Sequence, residues 1–79
     1  MKLAYESIVD FLSSAPTPQR ILKYKVSARV QTRVADLIGR KEDSALSEED
    51  NEELESYLNL EHIMRIAKAK AALRIQRGE

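Results

Sequence analysis

The sequence contains no cysteine, and this absence excludes several kinds of small protein. Disulfide bonds, thiolate zinc sites and cysteine nucleophiles all require the missing side chain. One histidine, His62, is not enough to form a histidine-rich metal site. We therefore expect no metal and no cofactor. Because a chain of 79 residues buries only a modest core, it usually needs a partner when disulfides and metals are lacking.

Glycine and long apolar runs are also scarce. Gly39 and Gly78 are the only glycines, so the sequence has no glycine-rich loop for holding a phosphate. The longest stretch without a charge, residues 11–19, contains both prolines and is too short to cross a bilayer. No basic segment followed by an apolar one opens the sequence, as a secretory signal would require. These observations predict a soluble cytoplasmic protein with a single domain over residues 1–79.

The apolar residues recur at helical spacing, and four segments follow one another along the chain. Their boundaries are marked by proline and by hydroxyl side chains. Pro16 ends the first segment, and Thr17 with Pro18 begins the second. Ser27 and Ser47 are the predicted caps of the third and fourth segments. We predict an all-α fold in which three short helices pack on one long C-terminal helix, at about residues 2–14, 18–24, 27–40 and 47–76.

The long segment carries two apolar faces. At about 100° per residue, one face holds Tyr57, Leu60, Met64, Ala67, Ala71 and Ile75, and a broadly opposed face holds Ile63, Ile66, Ala69 and Leu73. A surface helix needs only one such face to join a core. The second face therefore predicts contact with another chain, unless the short helices surround the long one or it breaks near Asn59. The predicted interface with a protein partner or a second copy consists of Leu60, Ile63, Met64, Ile66, Ala69 and Leu73.

The zero net charge hides a strong segregation of charge. The balances are −1 for residues 1–18, +6 for 19–41, −9 for 42–61 and +4 for 62–79. Such blocks attract one another within a chain or between chains. In a homodimer, antiparallel long helices set the acidic half of one beside the basic half of the other, whereas parallel helices align like charges. The sequence therefore predicts an antiparallel homodimer if the chain pairs with itself.

A basic face on the third segment supports a second interpretation. Residues 18–38 can be aligned with a helix-turn-helix whose second helix would enter the major groove of DNA. The residues proposed for nucleic-acid contact are Lys25, Arg29, Gln31, Thr32 and Arg33. The usual glycine of the turn is absent, and the acidic block at 42–61 repels nucleic acid. DNA binding is therefore the alternative to protein binding and is not favoured.

Candidate catalytic groups are few. The neighbouring Glu61 and His62 could orient an imidazole for acid–base chemistry, but no second catalytic group is specified. A histidine at a solvent edge or an interface is the simpler interpretation. The acidic run at 48–55 lacks the alternating ligands and the glycine of a calcium loop, and is interpreted as a solvated first helical turn. We expect neither an enzyme nor a small-molecule substrate.

A series of short motifs runs along residues 18–72. They are Pro18-x-x-Ile21-Leu22, Val26-Ser27, Gln31-x-Arg33, Leu46-Ser47-x-Glu49-x-x-Glu52-Glu53-Leu54 and Leu60-Glu61-His62-x-Met64-Arg65-x-Ala67-Lys68-Ala69-x-Ala71. Together they resemble a loose group of short, mostly uncharacterised bacterial proteins, frequent in cyanobacteria, some of which are similar to the antitoxin partners of toxin or nuclease operons. The resemblance is most specific at residues 60–71. It implies a helical architecture and partner binding, and carries no catalytic residue. Ala45 departs from the group, in which a glycine often stands before the Leu-Ser pair.

Overall fold

A computed structural model describes residues 3–78, and its regular structure over that range is entirely helical. The helices are α1 (Glu6–Ser13), α2 (Pro18–Lys23), α3 (Ala28–Glu42) and α4 (Glu48–Gln76). The predicted all-α fold, with three short helices packed on one long C-terminal helix, is confirmed. α4 continues without a break past Asn59. At about 1.5 Å per residue it is about 44 Å long, close to the full 48 Å length of the molecule.

α4 is the element on which the other helices pack. Each of α1, α2 and α3 contacts α4, but in the described part of the chain no two of the short helices bring Cα atoms within 8 Å of each other. Phe11 and Tyr24 connect two of the short elements through their side chains, with stacked rings 4.2 Å apart between centroids. The core consists of Ala4, Ile8, Val34, Leu37, Leu54, Tyr57 and Met64.

Hydroxyl caps begin three of the helices, as predicted. The side-chain oxygens of Thr17, Ser27 and Ser47 each accept a hydrogen bond from the backbone N–H three residues later, at 3.3, 3.3 and 3.1 Å. Pro18 occupies the first turn of α2, where its missing N–H costs nothing. Because these signals are local, α2 and α4 differ from the predicted ranges by one residue each.

α1 is shorter than predicted, and it begins at Glu6 instead of near residue 2, which lies outside the described residues. Leu3 and Glu6 form a reciprocal pair before the helix. The backbone N–H of Leu3 donates to the Glu6 carboxylate at 2.9 Å, and the backbone N–H of Glu6 donates to the Leu3 carbonyl at 3.1 Å. This pair closes a turn over residues 3–5, which delays the helix.

α3 extends past Gly39 and ends at Glu42, two residues beyond the predicted end. The N–H groups of Ser44 and Ala45 donate to carbonyls of the last helical turn at 3.0 and 2.8 Å. Ser44 has φ of 57°, in the left-handed region that such a helix end requires and that glycine most often occupies. The stop signal is therefore this pair of backbone bonds, and Gly39 remains inside the helix.

Candidate interaction surface

The side of α4 that faces away from the core carries a row of exposed apolar side chains. Ile63, Ile66 and Leu73 leave 50%, 46% and 48% of their surface exposed, and Leu58 leaves 41%. Ala69, also exposed, lies among them. We call Leu58, Ile63, Ile66, Ala69 and Leu73 the outer face of α4. Within residues 3–78 the short helices do not surround α4, so this face has no intramolecular cover.

The side of α4 that packs on the core is called the inner face, and the periodicity of the sequence predicted its positions. Tyr57, Met64 and Ala71 are buried, while Leu60 and Ala67 are half-buried against the core. Ile75 is the exception, since it lies near the end of α4 and is 36% exposed.

The predicted interface is divided between these two faces. Ile63, Ile66, Ala69 and Leu73 lie on the outer face, whereas Met64 is only 5% exposed and belongs to the core. Met64 follows Tyr57 by two helical turns, so it points to the same side, and it must be removed from the predicted interface. Leu60 is half-buried on the inner face, so only the exposed edge of its side chain can contact a partner.

Charged side chains surround the outer face in two separate groups. The exposed acids of the first half of α4 are Glu48, Glu49, Glu52 and Glu55. The exposed bases of the second half are Arg65, Lys70, Arg74 and Arg77, the last at the C-cap. Two further acids of the first half, Asp50 and Glu53, are bound by arginines of α3. The charge available to a partner is therefore negative at one end of α4 and positive at the other.

Glu53 is a buried carboxylate, with only 3% of its surface exposed. It accepts hydrogen bonds from Arg33 at 2.9 and 3.2 Å and from the backbone N–H of Ala4 at 2.9 Å. The Arg33 hydrogen bond lowers the pKa of Glu53 from its ordinary value, although burial alone would raise it. The same bond raises the pKa of Arg33. The interpretation of residues 48–55 as a solvated acidic run is therefore wrong for Glu53, because this carboxylate has arginine and backbone donors to replace water.

The ion pairs continue along the contact between α3 and α4. Asp50 accepts from Arg33 at 3.1 Å and from Arg40 at 3.0 Å, one arginine on each of its oxygens. Arg40 also binds Asp36 of its own helix at 2.7 Å. This network holds α3 against the first half of α4.

The residues proposed for nucleic-acid contact are placed in different surroundings. Lys25, Arg29 and Thr32 are exposed. The side-chain amide of Gln31 donates to a backbone carbonyl five residues earlier at 3.2 Å, and Arg33 is held in the ion-pair network. In a helix-turn-helix the two helices pack on each other, but α2 and α3 make no such contact within the described residues. The arrangement therefore differs from the DNA-binding motif with which residues 18–38 were aligned.

A cleft of about 360 Å³ lies between the loop after α2 and the middle of α4. Tyr24, Tyr57 and Lys68 contribute to its lining, and Lys68 donates to the Tyr24 carbonyl at 2.8 Å. Burial raises the pKa of both tyrosines, assisted by Glu61 at Tyr57 and by Asp10 at Tyr24. Glu61 is also paired with Arg65, so this carboxylate already has a cationic partner.

Other site types receive no support from the geometry. His62 is exposed on α4. Among residues 3–78, no three acidic or histidine side chains are grouped so that they could hold a metal ion. None of the described helices combines the length and the apolar character needed to cross a bilayer.

Comparison with known proteins gives no identification, because no family model, no curated protein and no solved structure matches this chain.

Proposed function

We propose that the protein is a cytoplasmic protein-interaction module that binds a helix of another polypeptide with the outer face of α4 and catalyses no reaction. The observation that carries this proposal is the exposure of Ile63, Ile66 and Leu73 on one side of a continuous helix, with Leu58 at the edge of that side, each 41–50% exposed. They extend over about 22 Å of helix. Single exposed apolar residues are common on protein surfaces, but a contiguous row of large ones is typical of a binding surface.

The energetic argument supports burial of this face by a partner. Full burial of a large aliphatic side chain is worth about 1.5–3 kcal/mol. Because each of the four side chains is about half exposed, its complete burial by a partner would contribute roughly half of that free energy. The total is comparable with the stability of a small domain, which is about 5–10 kcal/mol. An amphipathic helix is the partner element that matches an apolar helical face, because its own apolar face has the same spacing.

An antitoxin-like role is the more specific form of the proposal. Its support is the resemblance of residues 18–72 to short bacterial proteins, some of which are similar to antitoxins of toxin or nuclease operons. In this form the bound helix belongs to a toxin or nuclease encoded beside the gene. DNA binding ranks lower, since Arg33 and Gln31 are already bound within the chain.

The proposal is tested by capturing partners with the tagged protein in its own organism. Ile66→Glu places a charge at the middle of the outer face, and Val9→Glu is the matched control, because Val9 is 44% exposed but lies on α1. We expect a protein captured by the wild type and by Val9→Glu to be lost with Ile66→Glu. The product of the adjacent reading frame is then co-expressed to test the antitoxin-like form. Equal capture by all three forms would refute the outer face as the binding surface.

A further inference from the structure

We infer that the outer face binds a second copy of this chain, in a two-fold dimer whose α4 helices run antiparallel with Ile66 near the axis. This inference rests on the proposed function, since it names a second copy as the partner of the same surface, in place of the toxin or nuclease helix of the antitoxin-like form.

Charge complementarity determines the direction of the second helix. The exposed acids lie in the first half of α4 and the exposed bases in or just after its second half, while Asp50 and Glu53 are bound by α3. When two such helices cross antiparallel at Ile66, Glu55 of one copy lies level with Arg77 of the other. Two-fold symmetry produces this pair twice. Parallel helices would instead set Glu55 beside Glu55 and Arg77 beside Arg77, which is repulsive.

The apolar residues fit the same arrangement. Ile66 lies against Ile66 at the axis, and Leu58 reaches the level of Leu73 in the other copy. Ile63 lies level with Ala69 of the other copy, on the opposite edge of the interface. The outer face is therefore complementary to itself, as an interface between identical copies must be.

The first test is the mass of the protein in solution at tens of micromolar, measured by sedimentation equilibrium. We expect twice the monomer mass for the wild type and for Val9→Glu. Ile66→Glu introduces a charge into both halves of the interface, and we expect the dimer dissociation constant to rise at least about 100-fold. Circular dichroism verifies that the variant is folded, and Leu73→Lys replaces it if it is not.

The second test is the direction of the helices, and the absence of native cysteine makes it simple. Glu49→Cys and Gln76→Cys each carry one spin label per copy at an exposed position of α4, to the side of Ile66. Antiparallel helices crossing at Ile66 separate the labelled residues along the axis by about 51 Å at position 49 and about 30 Å at position 76. Parallel helices bring both pairs to about the 8–10 Å spacing of packed helices.

The outcomes separate this inference from the proposed function. A monomeric wild type that still captures another protein through Ile66 overturns the homodimer and leaves the proposed function standing. A monomeric wild type that captures nothing overturns both. A dimer that Ile66→Glu and Leu73→Lys do not weaken, or short label distances at both positions, overturns the interface described here.

Discussion

Arg33 donates two hydrogen bonds to Glu53, from Nη2 to Oε1 at 2.9 Å and from Nε to Oε2 at 3.2 Å. The Glu53 Oε2 atom also accepts the backbone N–H of Ala4 at 2.9 Å. One buried carboxylate therefore joins three parts of the chain that are distant in sequence: the turn before α1, the middle of α3 and the first half of α4.

Removing Arg33 leaves the buried Glu53 carboxylate without its cationic partner. We expect Arg33→Ala to lower the free energy of unfolding by about 2–4 kcal/mol, because an uncompensated buried charge is costly. Arg29→Ala, one turn earlier on α3 and exposed, should change it by less than about 0.5 kcal/mol. Urea unfolding followed by circular dichroism measures both. Equal stability of the two variants would show that the pair contributes little.

The lowered pKa of Glu53 makes part of the stability depend on pH. Because the folded-state pKa lies below the ordinary value of 4.5, the contribution is complete above about pH 4.5 and is lost as the pH falls through the folded-state pKa. We expect the wild type to exceed Glu53→Gln in stability most at pH 7, and this difference to shrink below pH 4.5. Urea unfolding over pH 3–7 measures it, and a difference that stays constant with pH would contradict the prediction.

Two backbone positions at the end of α3 predict stabilising substitutions. Gly39 lies inside the helix, and an added Cβ would meet nothing within 4 Å, so Gly39→Ala should raise the melting temperature with a gain of about 0.5–1 kcal/mol. Ser44→Gly should gain up to about 1 kcal/mol, because glycine adopts the observed positive φ without strain. Ala35→Gly, exposed on the same helix, is the control and should lose about 0.5–1 kcal/mol. A loss with Gly39→Ala would show that Gly39 does not lie inside the helix.

Leu37 and Ile38 are adjacent in α3 but differ in burial, at 0% and 40% exposure. We expect Leu37→Ala to cost about 2–5 kcal/mol in chemical unfolding, because it opens a cavity in the core. Ile38→Ala removes a similar volume and should cost less than about 1 kcal/mol. Similar losses for both would contradict the packing of α3 on α4.

The elements and their boundaries were predictable where the signals are local. Thr17, Ser27 and Ser47 each accept a hydrogen bond from the backbone N–H only three residues later. The two faces of α4 follow from its periodicity alone. The same periodicity already grouped Met64 with Tyr57, and this grouping was the signal that Met64 belongs to the core.

The burial of Glu53 could not be predicted in this way. Its partners Arg33 and Ala4 lie 20 and 49 residues away in sequence, and only the packing of α3 and the first turn on α4 brings them together. An acid among eight other acids in residues 42–61 gives no local sign that it is buried.

The last helix of the sequence supplies the surface on which the first three pack. During synthesis, α1, α2 and α3 leave the ribosome before α4. In the described part of the chain these three helices bring no Cα atoms within 8 Å of one another, and Phe11 meets Arg20 and Tyr24 through side chains alone. Helices of eight and six residues do not persist alone in water. The core therefore forms only after α4 has emerged, because Leu54, Tyr57 and Met64 of α4 complete it.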